Sequence, residues 1–274
     1  MFHVKHLRRS FSEKSSEKAF TPAQKYDTLI TSNEKGADSV VERVFFIAEM
    51  LGTVAFAVSG ALMAVDMAMD VFGVLFLGAV TAVGGGMLRD TLLGRVPPAA
   101  FTDPRYILVA LATSLVVFCI VYFTYDGMQR HRELVDRIIN VFDAIGLGAF
   151  SVVGVQVTIA AGYGDNALLA LFLGMTTAVG GGMLRDVLAG QKPFVLRKRI
   201  YALAALCGSL AYYLLRGVQE TAAIVTGMVL VIAIRLLAAH FRWNLPRVHS
   251  RLRERAEDTH NTGIAGASGD GQKG

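Results

Sequence analysis

Seven long apolar segments fill the middle of this sequence, between about Val44 and Trp243, and they leave the chain few ways to fold. The hydrocarbon core of a bilayer is about 30 Å thick, which about 20 helical residues span. Only 18% of the residues are charged, whereas soluble domains carry about 25%. The sequence therefore predicts an all-α integral membrane protein with seven transmembrane helices, at Val44–Val65, Val71–Leu93, Tyr106–Phe123, Ile138–Ala161, Ala167–Ala189, Ile200–Leu215 and Thr221–Ala239.

The two ends of the sequence are polar and contain no long apolar run. We expect residues 1–43 and 244–274 to be disordered tails, because they cannot bury enough apolar surface to fold. The net charge of +5 comes from the tails and from residues beside the membrane. It therefore indicates contact with lipid headgroups rather than with nucleic acid.

The sequence offers no set of residues with the spacing of a catalytic or metal site. Cys119 and Cys207 lie inside apolar segments, and the 6 histidines are scattered. Neither a serine–histidine–aspartate set nor a cysteine–histidine set can be identified. The sequence therefore predicts a protein that is not an enzyme, uses no cofactor and holds no metal beyond a permeating cation.

The apolar part of the chain is an internal repeat. Residues 81–94 read TAVGGGMLRDTLLG, and residues 177–190 read TAVGGGMLRDVLAG. A weaker match relates GTVAFAVSGA (52–61) to GLGAFSVVGV (146–155). We expect two three-helix repeats, at 44–123 and 138–215, and a seventh helix within 221–243. An odd number of spans in each repeat inverts the second relative to the first, as in many transporters.

Basic residues indicate the orientation of these helices. Lysine and arginine are concentrated in the loops 124–137 and 190–199 and in the C-terminal tail, which the predicted helices place on one side. The other side holds fewer. By the positive-inside rule, we expect the C-terminus in the cytoplasm and the N-terminus outside.

The repeated motif lies within the predicted membrane helices. The 13 residues from Val71 to Val83 form only about 20 Å of helix, so the motif must complete the span. Its charged residues then lie at or near membrane depth, where each costs at least about 2.5–3.5 kcal/mol. These residues, which must face protein or water, are Arg89, Asp90, Arg185 and Asp186.

Two explanations of the motif's glycines remain open. Three glycines in succession favour a kink or a break in the helix, which we expect at Gly84, Gly85 and Gly86 and at Gly180, Gly181 and Gly182. A break would free carbonyl groups as cation ligands, with the hydroxyls of Thr81 and Thr177 as further candidates. Alternatively, small residues at intervals of four allow helices to pack closely, namely Gly78, Ala82 and Gly86 and their equivalents Gly174, Ala178 and Gly182.

Two acidic residues occupy equivalent positions in the first helix of each repeat. Glu49 precedes Gly52 by three residues, as Asp143 precedes Gly146. Neighbouring residues on a helix do not face each other. We therefore expect Arg89 to pair with Glu49, and Arg185 to pair with Asp143; alternatively, all the acids face headgroups. We expect Arg235, near the end of the last helix, to extend to the cytoplasmic interface.

The segments GTVAFAVSGALMA and VFDAIGLGAFSVVG and the doubled glycine motif resemble the bacterial branch of the trimeric intracellular cation channel family. This family is also described as the glycine transporter domain family. The resemblance implies a homotrimer in the bacterial inner membrane, with a potassium pore in each protomer lined by the second and fifth helices. It places the six motif glycines near the ion path. Glu49 departs from the aspartate expected there.

Two functions follow from this resemblance and from the residues. The first is a passive channel for a monovalent cation, and the second is a carrier for a small zwitterion such as glycine. Both are compatible with inverted repeats. The expected partners are the lipid bilayer, two further copies of the chain and the permeating solute, and nucleic acid is not expected.

Overall fold

The computed structural model describes residues 37–123, 132–197 and 200–241, and the regular structure within these ranges is entirely helical. This confirms the predicted fold class. We number the helices α1 (Ala37–Asp66), α2 (Val71–Leu92), α3 (Ala99–Thr102), α4 (Pro104–Phe123), α5 (Arg132–Thr158), α6 (Ala167–Leu188), α7 (Phe194–Arg197), α8 (Ile200–Leu215) and α9 (Glu220–His240). A π-helical turn, Ile159–Tyr163, continues α5.

Six of these helices among the described residues are long and apolar enough to cross a membrane, namely α1, α2, α4, α5, α6 and α9. The seventh predicted span, α8, is apolar but has only 16 residues. A helix of that length extends for about 24 Å, which is shorter than the hydrocarbon core of about 30 Å.

Two helices begin earlier than their apolar segments do. Helix α1 begins at Ala37 rather than at Val44, so the expectation of disorder is wrong for residues 37–43. Helix α5 begins at Arg132 rather than at Ile138. Both extensions are polar but lack proline and glycine, so the helix can continue beyond the apolar region. Of the predicted tails, residues 1–36 and 244–274 lie outside the described residues.

The helices form two matching three-helix units. In the first repeat, α1, α2 and α4 pack against one another, and in the second, α5, α6 and α8 do the same. The α1–α5 and α2–α6 contacts join the two units, and α9 packs on α8 and α5. The short helices α3 and α7 follow equivalent prolines, Pro98 and Pro193, and were not predicted from the sequence.

Equivalent aromatic residues from α1 and α5 meet where the two repeats join. The ring centroids of Phe56 and Phe150, which are 94 positions apart in the sequence, lie 5.3 Å from each other. Each ring covers a glycine of the opposite repeat: a Cβ added to Gly146 would lie 2.2 Å from Phe56, and one added to Gly52 would lie 3.2 Å from Phe150. This reciprocal contact marks the pseudo-two-fold relation between the repeats.

The prediction of a break at the glycine runs is wrong, whereas the kink expected there as the milder form stays a prediction. Helices α2 and α6 continue through Gly84–Gly86 and Gly180–Gly182 as α-helix. Within the membrane no water can replace a lost backbone hydrogen bond, so an intact helix is the less costly arrangement. The helices end instead just before the last glycine of each motif, Gly94 and Gly190, which have φ values of 70° and 66°. This is the usual position for a glycine that terminates a helix.

Candidate functional site

The central glycines of the two runs form the crossing point of α2 and α6. A Cβ added to Gly85 would lie 2.0 Å from the carbonyl oxygen of Thr177, and one added to Gly181 would lie 2.2 Å from that of Thr81. The backbones therefore touch, and only glycine fits. Close helix packing, rather than a break, accounts for these two glycines, although neither belongs to the small-residue stripes for which the sequence suggested packing.

The neighbouring side chains complete this crossing. The hydroxyls of Thr81 and Thr177 are fully buried and donate hydrogen bonds of 2.6 Å to the carbonyls of Leu77 and Leu173 in their own helices. The first glycines of the runs also pack reciprocally: Gly84 faces Leu184, and Gly180 faces Leu88. The structure therefore shows a closed helix contact where the sequence suggested exposed carbonyls.

The arginine and aspartate of each motif bond to each other. The Nε atom of Arg89 donates to Oδ1 of Asp90 at 2.9 Å, and Arg185 donates to Asp186 at the same distance. The second carboxylate oxygen accepts the backbone N–H that begins the next short helix, from Ala99 at 2.9 Å and from Phe194 at 2.7 Å. Each aspartate thus fastens the end of its helix to the turn that follows.

A closed ionic cluster lies in the second repeat, and we call it the second-repeat cluster. Its centre is Asp143, which is completely buried. Oδ1 accepts from NH1 of Arg185 at 2.9 Å and from the hydroxyl of Tyr201 at 3.2 Å. Arg185 also bonds Ser59 of α1, and its guanidinium lies 5.3 Å from the ring of Phe194. The predicted pairing of Arg185 with Asp143 is therefore present.

Arg235 from α9 is the fourth charged residue of this cluster, together with Asp143, Arg185 and Asp186. Its NH2 atom lies 3.4 Å from Oδ2 of Asp143, and its guanidinium lies 4.7 Å from the ring centre of Tyr201. The residue is only 4% exposed, so the prediction that it extends to the interface is wrong. A charged side chain buried in the membrane without a partner is costly. Arg235 can point inward because Asp143 supplies that partner.

The equivalent region of the first repeat is open, and we call it the first-repeat cavity. It is a cleft of about 50 Å³, and its lining includes Glu49, Thr53, Gly86, Arg89 and Tyr106. A water molecule requires about 10–15 Å³ of such space, so the cleft has room for a few. The hydroxyl of Tyr106 donates to Oε2 of Glu49 at 2.6 Å.

The predicted pairing of Arg89 with Glu49 is absent. Arg89 instead bonds Asp90, and no described side chain forms an ion pair with Glu49 within 4.0 Å. Two substitutions between the repeats contribute to this difference. Ser59 binds Arg185, but the equivalent position that would face Arg89 is a valine, Val153. In addition, Glu49 has a longer side chain than Asp143.

Four residues that contact the buried charges were not placed there by the sequence analysis, namely Tyr106, Tyr201, Ser59 and Arg235. The tyrosines could have been found, since RYILVALATSL (105–115) and IYALAALCGSL (200–210) align with both tyrosines and both serines in register. Arg235 and Ser59 have no counterpart in the other repeat. The internal comparison therefore gave no signal for either of them.

These features define a helical membrane protein with an internal repeat and ionic groups buried between its helices. The family model described as glycine transporter matches the chain twice, at residues 46–122 and 140–217. The chain belongs to this family. The two matches coincide with the two repeats, and this confirms the resemblance noted in the sequence.

Curated relatives and solved structures agree with this assignment. The chain is 41% identical to the UPF0126 inner membrane protein YadS of Escherichia coli K12, over 72% of this chain and 93% of that protein. It is 38% identical to a UPF0126 membrane protein of Vibrio cholerae, over 74% and 82%. The structure of a trimeric intracellular cation channel orthologue from Rhodobacter sphaeroides matches with a TM-score of 0.66 and 34% identity, over 73% of this chain and 99% of that one. A prokaryotic channel of the same type, crystallised in 0.5 M KCl, gives 0.67 and 30%, over 74% and 100%.

Proposed function

We propose that this chain is a membrane channel for a small monovalent cation, with potassium as the main permeating ion. The solved structures that it resembles are described as cation channels. The observation in this chain that carries the proposal is the carboxylate of Glu49, which borders a cavity with room for a few water molecules and has no cationic side chain paired with it among the described residues.

The chemistry of the cavity favours a cation over a zwitterion. A zwitterion such as glycine needs a cationic group for its carboxylate as well as an acidic group for its amine. The candidate cationic group, Arg89, is 5% exposed and is already bonded to Asp90. Glu49 and the hydroxyl of Thr53 remain as oxygen ligands, which are the ligands that alkali cations require.

The path proposed here runs inside one protomer, through the first-repeat cavity. It does not pass through the contact between Gly85 and Gly181, because that crossing has no free space. We further propose that three copies assemble, since the R. sphaeroides relative is described as trimeric. Large apolar side chains on the outside, such as Phe72, Leu108 and Ile120, are available to contact lipid and neighbouring copies.

We also propose the orientation indicated by the basic loops, with the C-terminus in the cytoplasm and the N-terminus outside, in a bacterial inner membrane. A single cysteine placed at each end in turn, in a chain without Cys119 and Cys207, tests this directly. A membrane-impermeant maleimide applied to whole cells should label the N-terminal cysteine alone. Labelling of the C-terminal cysteine alone would reverse the orientation.

Flux into proteoliposomes tests the function. Rubidium-86 as a potassium tracer and labelled glycine are measured side by side in vesicles that contain the full chain. We expect rubidium uptake to exceed that of empty vesicles and glycine uptake to equal it. The variant Glu49→Gln should lose tenfold or more of the rubidium flux, because a neutral amide no longer attracts a cation.

Glu42→Gln is the matched control, since it removes an exposed carboxylate from the same helix. It should leave the flux unchanged. Glycine uptake without rubidium uptake would replace the channel by a carrier. Equal flux in the Glu49→Gln variant and in the wild type would remove the first-repeat cavity from the path.

A further inference from the structure

The two repeats use matching residues to surround an acidic group, but only the second receives an extra cation. Glu49 and Asp143 are equivalent, as are Tyr106 and Tyr201, which donate hydrogen bonds to them. The second repeat adds the guanidinium of Arg235, 3.4 Å from Asp143. The first repeat is not followed by a helix as long as α9, because only eight residues separate α4 from α5.

The charged side chains around Asp143 and Glu49 are therefore arranged differently. In the second-repeat cluster, two carboxylates (Asp143 and Asp186) face two guanidinium groups (Arg185 and Arg235), and all four residues are almost completely buried. The first repeat also has two guanidinium groups, but both lie beside the same acid: Arg89 is bonded to Asp90, and Arg95 lies 3.9 Å from it. The carboxylate of Glu49 is therefore left without a cation within 4.0 Å among the described side chains.

The free space around the two acids differs in the same sense as their charged neighbours. A Cβ added to Gly182 would lie 2.6 Å from the Tyr201 hydroxyl, so the second repeat is filled at this position. At the equivalent Gly86, the nearest atom to an added Cβ is NH2 of Arg89, at 3.6 Å. The first repeat therefore has both a carboxylate without a paired cation and the room for an ion that the second repeat lacks.

We infer that Arg235 is a built-in cation, which takes in the second repeat the place that the permeating cation takes in the first. The last helix thereby closes one of two equivalent cation sites and restricts ions to the first-repeat cavity. This inference rests on the proposed function, since it assumes that the first site receives a cation.

Arg235 acts on Asp143 through its charge rather than through a close hydrogen bond. Its contact with Asp143 is longer than an ordinary N–H···O hydrogen bond of about 2.7–3.2 Å. Its Nε atom is buried without a hydrogen-bond partner among the described residues. Arg185, in contrast, makes several close bonds and holds the cluster together. Removing the charge of Arg235 should therefore create a vacancy that a free cation can fill.

The experiment measures how potassium affects thermal stability, so it does not depend on flux. Wild type, Arg235→Gln and Arg235→Lys are melted in detergent in potassium chloride and in the chloride of N-methyl-D-glucamine, at equal ionic strength. An ion that binds only the folded state raises Tm. We expect potassium to raise the Tm of Arg235→Gln by about 3 °C or more beyond its effect on wild type, given about 2–4 °C for each kcal/mol in a chain of this size.

Arg235→Lys should behave like wild type, because the lysine still supplies the charge. Adding Asp143→Asn to Arg235→Gln should remove the extra response, because the vacancy then has no acid. An equal potassium response in Arg235→Gln and Arg235→Lys would overturn the inference. Failure of Arg235→Gln to fold even in high potassium would do so as well, since a free cation could then not replace the guanidinium.

The balanced double variant Asp143→Asn/Arg235→Gln gives a second measurement. It removes both charges together and should conduct rubidium like the wild type, because the second repeat is not on the ion path. Folded protein with a tenfold lower flux would place Arg235 on the path and overturn the inference. Failure of the proposed function is recognised separately, by the absence of rubidium flux in the wild type.

Discussion

Glu49 and Asp143 lie at equivalent positions of the two repeats, but their carboxylates meet different partners. Asp143 is fully buried and contacts two arginines and a tyrosine. Glu49 borders a cavity and, among the described side chains, is hydrogen-bonded to a tyrosine without an ion pair. The difference teaches that a duplicated sequence need not give two equivalent sites. A single helix outside the repeat, α9, is enough to fill one of them.

At the axis between the repeats, by contrast, the two halves remain alike. Gly85 and Gly181 approach the carbonyls of Thr177 and Thr81 almost equally closely. A change at the axis disturbs both repeats, whereas a change at a charged site affects one. The symmetric glycines are therefore assigned to assembly of the fold, whereas the two acids are the positions at which the repeats differ.

The largest expected difference concerns the motif arginines. Arg185→Met should destabilise the protein by about 3–5 kcal/mol, because it leaves the charges of Asp143 and Asp186 buried without their main partner. Arg89→Met should cost less, about 1–3 kcal/mol, because Asp90 keeps Arg95 nearby at 3.9 Å. The measurement is the thermal unfolding of each variant in detergent. Equal destabilisation by the two substitutions would contradict the difference between the sites.

The next prediction concerns the axis. Gly85→Ala and Gly181→Ala should each destabilise the protein by about 3 kcal/mol, because overpacking against a backbone carbonyl cannot be relieved by turning a side chain. Gly217→Ala is the control, since no atom lies within 4 Å of an added Cβ there. Thermal unfolding measures all three. A large effect at one axis glycine and none at the other would break the pseudo-two-fold relation.

The repeats, the class of fold and one ion pair could be predicted from the sequence. The repeat is visible because the two halves share similar residues at equivalent positions. The membrane spans follow from the length of each apolar segment. Arg185 meets Asp143 because each has few alternatives at membrane depth. The same argument failed for Arg89, since Tyr106 had already satisfied Glu49 and Asp90 lay within reach.

The course of the glycine helices and the position of Arg235 depend on tertiary packing. A run of glycines lowers helix propensity, but the contact between α2 and α6 requires small residues in an intact helix. Sequence alone does not indicate which helix will cross at Gly85. Likewise, an arginine near the end of a span is usually expected at the interface, unless a buried acid lies beside it, as Asp143 lies beside Arg235.

A smaller difference is expected at the third glycine of each run. Gly182→Ala should cost about 1–3 kcal/mol, because its Cβ would press on the Tyr201 hydroxyl at 2.6 Å. Gly86→Ala should change stability by about 0.5 kcal/mol or less, since its Cβ would meet the end of the Arg89 side chain at 3.6 Å. It should lower rubidium flux, because the methyl group enters the cavity. Normal flux in Gly86→Ala would show that ions do not approach this face of α2.

The smallest and most selective effect is expected at the tyrosines. Tyr106→Phe removes the hydroxyl that donates to Glu49 at 2.6 Å. A carboxylate freed from this charge-assisted bond, which is worth about 1.5 kcal/mol or more, should attract potassium about tenfold more strongly. Tyr201→Phe removes the corresponding bond of 3.2 Å to Asp143, but the two arginines still neutralise that acid. It should reduce stability by about 1 kcal/mol and leave the response to potassium unchanged. Rubidium flux measured over a range of potassium concentrations, together with thermal unfolding, separates the two outcomes. If Tyr201→Phe altered the potassium dependence and Tyr106→Phe did not, the open site would belong to the second repeat.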